Sequence, residues 1–165
     1  MEHLYAPWRS AYFTERAEGC VFCRISQTPG EDAANQVLYR DEHCFAVMNR
    51  YPYTPGHFMI IPHAHLSALE ALPAESWQHI ALLAQSGVRL LKEHFGAHGV
   101  NIGMNLGECG GAGIAEHIHL HLVPRFSRDT NFITAIGDTR VNPSSFEVIY
   151  QQLLSGVKTY FANPG

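Results

Sequence analysis

Residues 117–125, HIHLHLVPR, alternate histidine with an apolar residue for six positions before reaching proline. An extended chain turns that alternation into two faces, because a strand sends successive side chains to opposite sides and a helix does not. The segment therefore reads as a β-strand with His117, His119 and His121 on one face and Ile118, Leu120 and Leu122 on the other. The leucine face packs. The histidine face is open to three uses: a metal site, a nucleophile with helpers, or a solvated surface.

The chain has 165 residues, 46% of them hydrophobic, which is enough for one domain with a real core and too little for two comfortable ones. A single domain over 1–165 is expected. No charged-then-apolar leader stands at the N-terminus and no apolar run nears the ~20 residues that span a bilayer, so a soluble, cytoplasmic protein with no membrane partner is expected. A formal charge of −4 leaves no basic stripe for nucleic acid, which is excluded as a partner.

Hydrophobic periodicity lays out an α+β chain. Alternating runs at 36–40 and 43–48, split by Asp41-Glu42, read as a hairpin, and HFMIIP (57–62) as a third strand. Trp77, Ile80, Ala84, Val88, Leu91 and Phe95 recur at about 3.6 residues from Pro73 onward and predict a long amphipathic helix packed on the sheet. A strand near 99–105, a glycine-rich loop, the histidine strand and a C-terminal helix from about 143 to 155 complete an antiparallel sheet with few crossovers.

The chemistry narrows by what is missing: no GxSxG elbow, no phosphate loop ending in Gly-Lys-Ser/Thr, and no HExxH. The loop GECGGAG, with Gly107, Gly110, Gly111 and Gly113, has the freedom to turn backbone N–H groups inward around phosphate oxygens, although glycines before a strand more often just turn the chain. It runs directly into the histidine strand. Alternating histidines also bind zinc, copper or iron, so the motif by itself leaves metal and catalysis level. Cys20 and Cys23 have the CxxC spacing of metal or redox work; Cys44 and Cys109 are read as packing residues.

EHIHLHLVPR resembles the His-φ-His-φ-His-φ-φ signature of the histidine triad (HIT) superfamily of nucleotide hydrolases and transferases. FAVMNRYPYTPGHFMIIPHAH is similar to the family's strand–turn–strand, NIGMNLGECGGAGIAEHIHLHLVPR to its loop and active strand, and RDTNFITAIGDTRVNP to the bacterial branch that includes diadenosine tetraphosphate phosphorylases and related dinucleoside polyphosphate hydrolases. The likeness covers most of residues 4–143, with the core motifs at about 20–143. It implies a HIT-like fold and a nucleotidyl-histidine mechanism in which His119 attacks the α-phosphorus, His121 helps the leaving group and His57 supports the row. It implies that Asn49 meets the ribose, that Asn105, Gly111 and Gly113 lie by the phosphates, and that Val47 and Met59, aligned by period two, wall the base. Many relatives carry Gln or Ser at Gly113, so only backbone serves there. Zinc-bearing bacterial members resemble the set Cys20, Cys23, His65 and His117, which makes a structural zinc the expected cofactor and His117 an anchor. A homodimer with strands continued across the interface is implied as well.

Plainer roles compete. Asn49 fits a cap on the turn at Tyr51-Pro52, His57 an ordinary half-buried strand residue, and Arg125 and Arg128 solvated cations; His3, His43, His79, His94 and His98 carry no motif. The leading function is cleavage of dinucleoside polyphosphates, with diadenosine tetraphosphate the expected substrate. The alternatives are a nucleoside phosphoramidase of broad range and a zinc-binding regulatory protein without turnover.

Overall fold

Asp41 makes the predicted hairpin. Its carboxylate accepts the N–H groups of His43 at 2.8 Å and Cys44 at 2.9 Å, which closes the turn between β1 (Val37–Arg40) and β2 (Cys44–Met48). In a computed structural model describing residues 19–127, 129–130, 132–137 and 144–162, these strands join β3 (Phe58–Pro62), β4 (Gly99–Gly103) and β5 (Leu120–Arg125). All pairings are antiparallel, in the order β1-β2-β3-β5-β4. The helices in chain order are α1 (Val21–Gln27), α2 (Asp32–Asn35), α3 (Ala74–Arg89), α4 (Phe132–Gly137) and α5 (Phe146–Tyr160). This is the α+β, HIT-like architecture expected, an antiparallel sheet with a long helix packed on it and a C-terminal helix.

Period two divides the sheet into faces. Ala46, Met48, Phe58, Ile60, Leu120 and Leu122 point into the main core with Ile80 and Leu83 of α3 and Ile149 and Leu153 of α5. Gly87 lets α3 lie close: a Cβ there would stand 2.7 Å from Leu122 Cδ2. On the other face Phe45, Val47, Met59 and Ile61 pack against Phe22 and Ile25 of α1. That second layer covers only the β1–β3 half.

Three boundaries differ from the sequence reading. The strand ladder begins at Leu120, not His117, because the N–H of Ile118 donates to Leu66 O at 2.8 Å and the Pro62 carbonyl is taken by the His117 ring at 2.9 Å. The chain stays extended enough to keep Ile118 in the core and His117 and His119 away from it. The long helix ends in a π-helical turn, Leu90–His94, closed by Phe95 N–H donating to Leu90 O at 3.0 Å. Finally, α5 is capped by Ser145 and runs past Gly156. That glycine serves contact, not termination, since a Cβ on it would meet Leu90 Cδ1 at 2.6 Å and the His94 ring at 2.7 Å. Residue 143, where that helix was expected to begin, lies outside the described residues, as do His3 with the rest of 1–18, Arg128, and 138–143 of the downstream motif.

Candidate active site

The site begins with α1. Phe22 and Ile25, three apart, give this short helix one apolar stripe, and both are buried on the sheet. Arg40 binds its C-terminal carbonyls: the guanidinium donates to Ser26 O at 3.0 Å and to Ile25 O at 2.8 Å, which also accepts from Thr28 N–H, while Asp32 grips it at 2.6 Å. The opposite end carries Cys20 and Cys23. They meet His65 and His117, with Cys20 Sγ 3.4 Å from His117 Nδ1 and Cys23 Sγ 3.1 Å from His65 Nδ1. All four ligand atoms lie within 4.8 Å of one another.

The His117 tautomer suits a metal. A carbonyl can only accept, so the 2.9 Å contact with Pro62 O puts the ring proton on Nε2 and leaves the Nδ1 lone pair facing the two sulfurs. Two thiolates and two imidazoles with the backbone orienting one ring fit tetrahedral zinc with no position left for substrate.

His119 is tied the other way round. Its Nδ1–H donates to His117 O at 2.9 Å, which leaves Nε2 as the bare, nucleophilic nitrogen. Burial, opposed by that hydrogen bond, lowers its pKa from the ordinary histidine value and keeps the ring neutral near pH 7. Phe22 packs on it with ring centroids 5.1 Å apart.

Behind the row stands His57, fully buried. The N–H of Tyr53 donates to His57 Nδ1 at 3.2 Å, so the proton of this neutral ring sits on Nε2 and is donated to His121 Nδ1, 2.9 Å away. Neutral His121 then carries its own proton on Nε2, ready for a developing oxyanion. The chain Tyr53–His57–His121 sets a donor beside the acceptor nitrogen of His119, with the two rings 4.8 Å apart.

A cavity of about 680 Å³ opens in front of these rings. It brings together His119, His121, Val47, Met59, Asn49, Asn105, Gly111 and Gly113; His57 lies behind it and the four cysteine and histidine groups beside it. Val47 and Met59 are cross-strand partners and form the apolar wall. Asn49 caps the turn, with Oδ1 accepting from Tyr51 N–H at 3.0 Å, while Nδ2 sits 3.3 Å from each His57 nitrogen and the residue lines the cavity. In the glycine loop, Gly107 and Gly111 hold positive φ, 71° and 84°, which glycine adopts without strain.

Sequence reasoning missed the wall that α1 makes. Phe22 and Ile25 line the cavity, and their i, i+3 spacing beside the CxxC was the available signal. Gln36, another lining residue, holds a positive φ of 57° that no sequence signal marks. Cys109 is corrected: it is exposed in the loop, because the turn Glu108–Gly110 runs over the surface, whereas Cys44 is buried as expected. Arg125 is exposed and paired with Asp129 at 2.6 Å.

His57 also makes the fold acid-sensitive. Burial, and then the neighbouring His121 and His119, push its pKa down to about 3. Between pH 6.5 and 3 the unfolded chain binds a proton that the folded chain refuses, so stability falls as the pH drops, by about 1.4 kcal/mol per pH unit. Denaturant melts of wild type and His57→Asn at matched pH should show a steeper loss of stability in the wild type over this range, the remainder in the variant coming from the other buried histidines.

Together these features define a class, a chain that sets a row of histidines beside a cavity on an antiparallel sheet. The chain belongs to the HIT domain family, whose model matches residues 31–128. It is 35% identical over 153 residues to an AP-4-A phosphorylase of Mycobacterium tuberculosis, covering 87% of this chain and 77% of that protein. Among solved structures, a Zn-bound histidine triad family protein from Mycobacterium smegmatis superposes with a TM-score of 0.70 at 30% identity, covering 87% and 96% of the two chains. A HIT family protein from Bacillus anthracis gives 0.60 at 28% identity over 89% and 97%. Among the described residues no helix is long and apolar enough to cross a membrane.

Proposed function

We propose that this enzyme cleaves dinucleoside polyphosphates, diadenosine tetraphosphate foremost, through a nucleotidyl-His119 intermediate. One observation carries the reading: hydrogen bonds fix opposite tautomers on neighbouring rings, so that a bare His119 Nε2 and a protonated His121 Nε2 border one cavity. His119 Nε2 attacks the α-phosphorus and forms a P–N bond. The bond to the bridging oxygen breaks, its electron pair leaves on the polyphosphate, and His121 Nε2–H donates a hydrogen bond to the charge that grows on that oxygen. Water or inorganic phosphate then attacks the phosphorus and releases His119.

The remaining roles follow the same geometry. Val47 and Met59 hold the base, Asn49 the ribose, and Asn105 with the backbone of Gly111 and Gly113 the phosphates. Zinc on Cys20, Cys23, His65 and His117 supplies rigidity and no chemistry. The relative at 35% identity, an AP-4-A phosphorylase, supports the substrate class. One domain, a cytoplasmic location and a homodimer joined through sheet edges complete the proposal.

Incubating purified protein with diadenosine tetraphosphate tests it. ATP plus AMP is expected if water is the acceptor and ATP plus ADP if phosphate is. Two ADP molecules in the absence of phosphate would mean attack at the middle of the chain and would sink the adenylyl-histidine mechanism.

A further inference from the structure

We propose that the uncovered half of the histidine face is a second nucleoside site, which holds the departing nucleotide while the larger cavity holds the one transferred to His119. The proposal rests on the dinucleoside polyphosphate reading above. Beyond β5, no helix among the described residues lies over the face, and the register sets what stands there: His121 opposite Gly103, Val123 opposite Asn101, Arg125 opposite Gly99. Gly103 lowers the floor. The result is a trough of about 450 Å³, and a Cβ added at Gly103 would meet nothing within 4 Å.

This trough is continuous with the first cavity. Tyr53, Asn105 and His121 line both. If His119 attacks and His121 Nε2–H donates a hydrogen bond to the leaving oxygen, the leaving chain passes His121, and the trough is where it goes. A substrate with one nucleoside has no use for that space; one with a nucleoside at each end of a polyphosphate does.

The lining suits a nucleoside. Tyr53 offers a 39% exposed ring, lying at 27° to the His121 ring, for a base to stack on. Val123 gives an apolar floor. Asn101 and Arg125 supply the polar groups, and the guanidinium is held by Asp129 Oδ2 at 2.6 Å and Oδ1 at 3.2 Å and by Asn101 Oδ1 at 3.1 Å. A guanidinium fixed in this way can stack on a base or donate to phosphate with little further ordering.

The experiment compares two substrates that differ only in the second nucleoside, diadenosine tetraphosphate and adenosine 5′-tetraphosphate. In the wild type the first should have the higher kcat/KM. Asn101→Ala and Arg125→Ala, both at exposed positions, and Gly103→Val, which puts a side chain into the trough, should each cut the ratio of the two kcat/KM values about tenfold, mainly through KM for the dinucleotide. Equal losses on both substrates, an unchanged ratio, or an effect confined to KM for inorganic phosphate would overturn the second site. Wild-type protein that cleaves adenosine 5′-tetraphosphate and ignores the dinucleotide would remove the functional reading beneath it as well, so the two failures are distinguishable.

Discussion

His119→Ala should fold normally and lose turnover of every nucleotide substrate, by at least about a thousandfold in kcat. The ring is buried, but it lies on the face away from the main leucine core and meets Phe22 and the cavity, so its removal enlarges a space that is already open. A melting temperature within about 5 °C of wild type is therefore expected. No neighbour can replace it: His117 Nε2 is bound to Pro62 O, and His121 Nδ1 accepts from His57. Stopped assays on diadenosine tetraphosphate should show neither the burst nor the steady state. A rate near wild type from a folded variant would end the covalent mechanism and leave the histidines as binding groups.

That expectation was legible in the sequence because a two-residue period survives into three dimensions wherever one face is buried. Ile118, Leu120 and Leu122 had to enter the core, and the histidines followed onto the other side. What the period could not show is which nitrogen of each ring is bare, since this depends on carbonyls and N–H groups remote in sequence or set by local turns: Pro62 for His117, Tyr53 for His57. The α1 wall escaped for a related reason. A seven-residue helix has room for two stripe positions, Phe22 and Ile25, too few to register as periodicity, and its anchor Arg40 comes from a strand. The C-terminal helix runs on past residue 155 because Gly156 is a glycine demanded by helix packing, which in sequence looks like one demanded by a terminus. The trough beside β4 was equally invisible: it opens where Gly103 faces His121, and that register is set by strand pairing.

The same short helix makes the metal prediction a large one. Purified protein should carry about one zinc per chain, and removing it with a strong chelator, or substituting Cys20→Ser, should lower the melting temperature by about 10 °C or more. The reason lies in how α1 is held. Its C-terminal end is fixed by Arg40 and Asp32, but its N-terminal end has no side-chain cap and is joined to the sheet chiefly through Cys20 and Cys23 meeting His65 and His117. Freed of metal, four ligand groups would crowd together without the bonds that justify the crowding. Phe22 would then lose its place between the His117 and His119 rings, where its centroid stands 5.5 Å from one and 5.1 Å from the other. Activity should fall along with stability, and added zinc should restore both. A CxxC acting instead as a redox pair predicts the opposite pattern, with no bound metal, reversible loss of two thiols on mild oxidation, and a melting temperature indifferent to chelator. A third outcome bears on the chemistry itself. Zinc that survives Cys20→Ser and Cys23→Ser but leaves on His119→Ala would sit on the histidine row, would occupy the nitrogen assigned to attack, and would turn the reading from catalysis to binding.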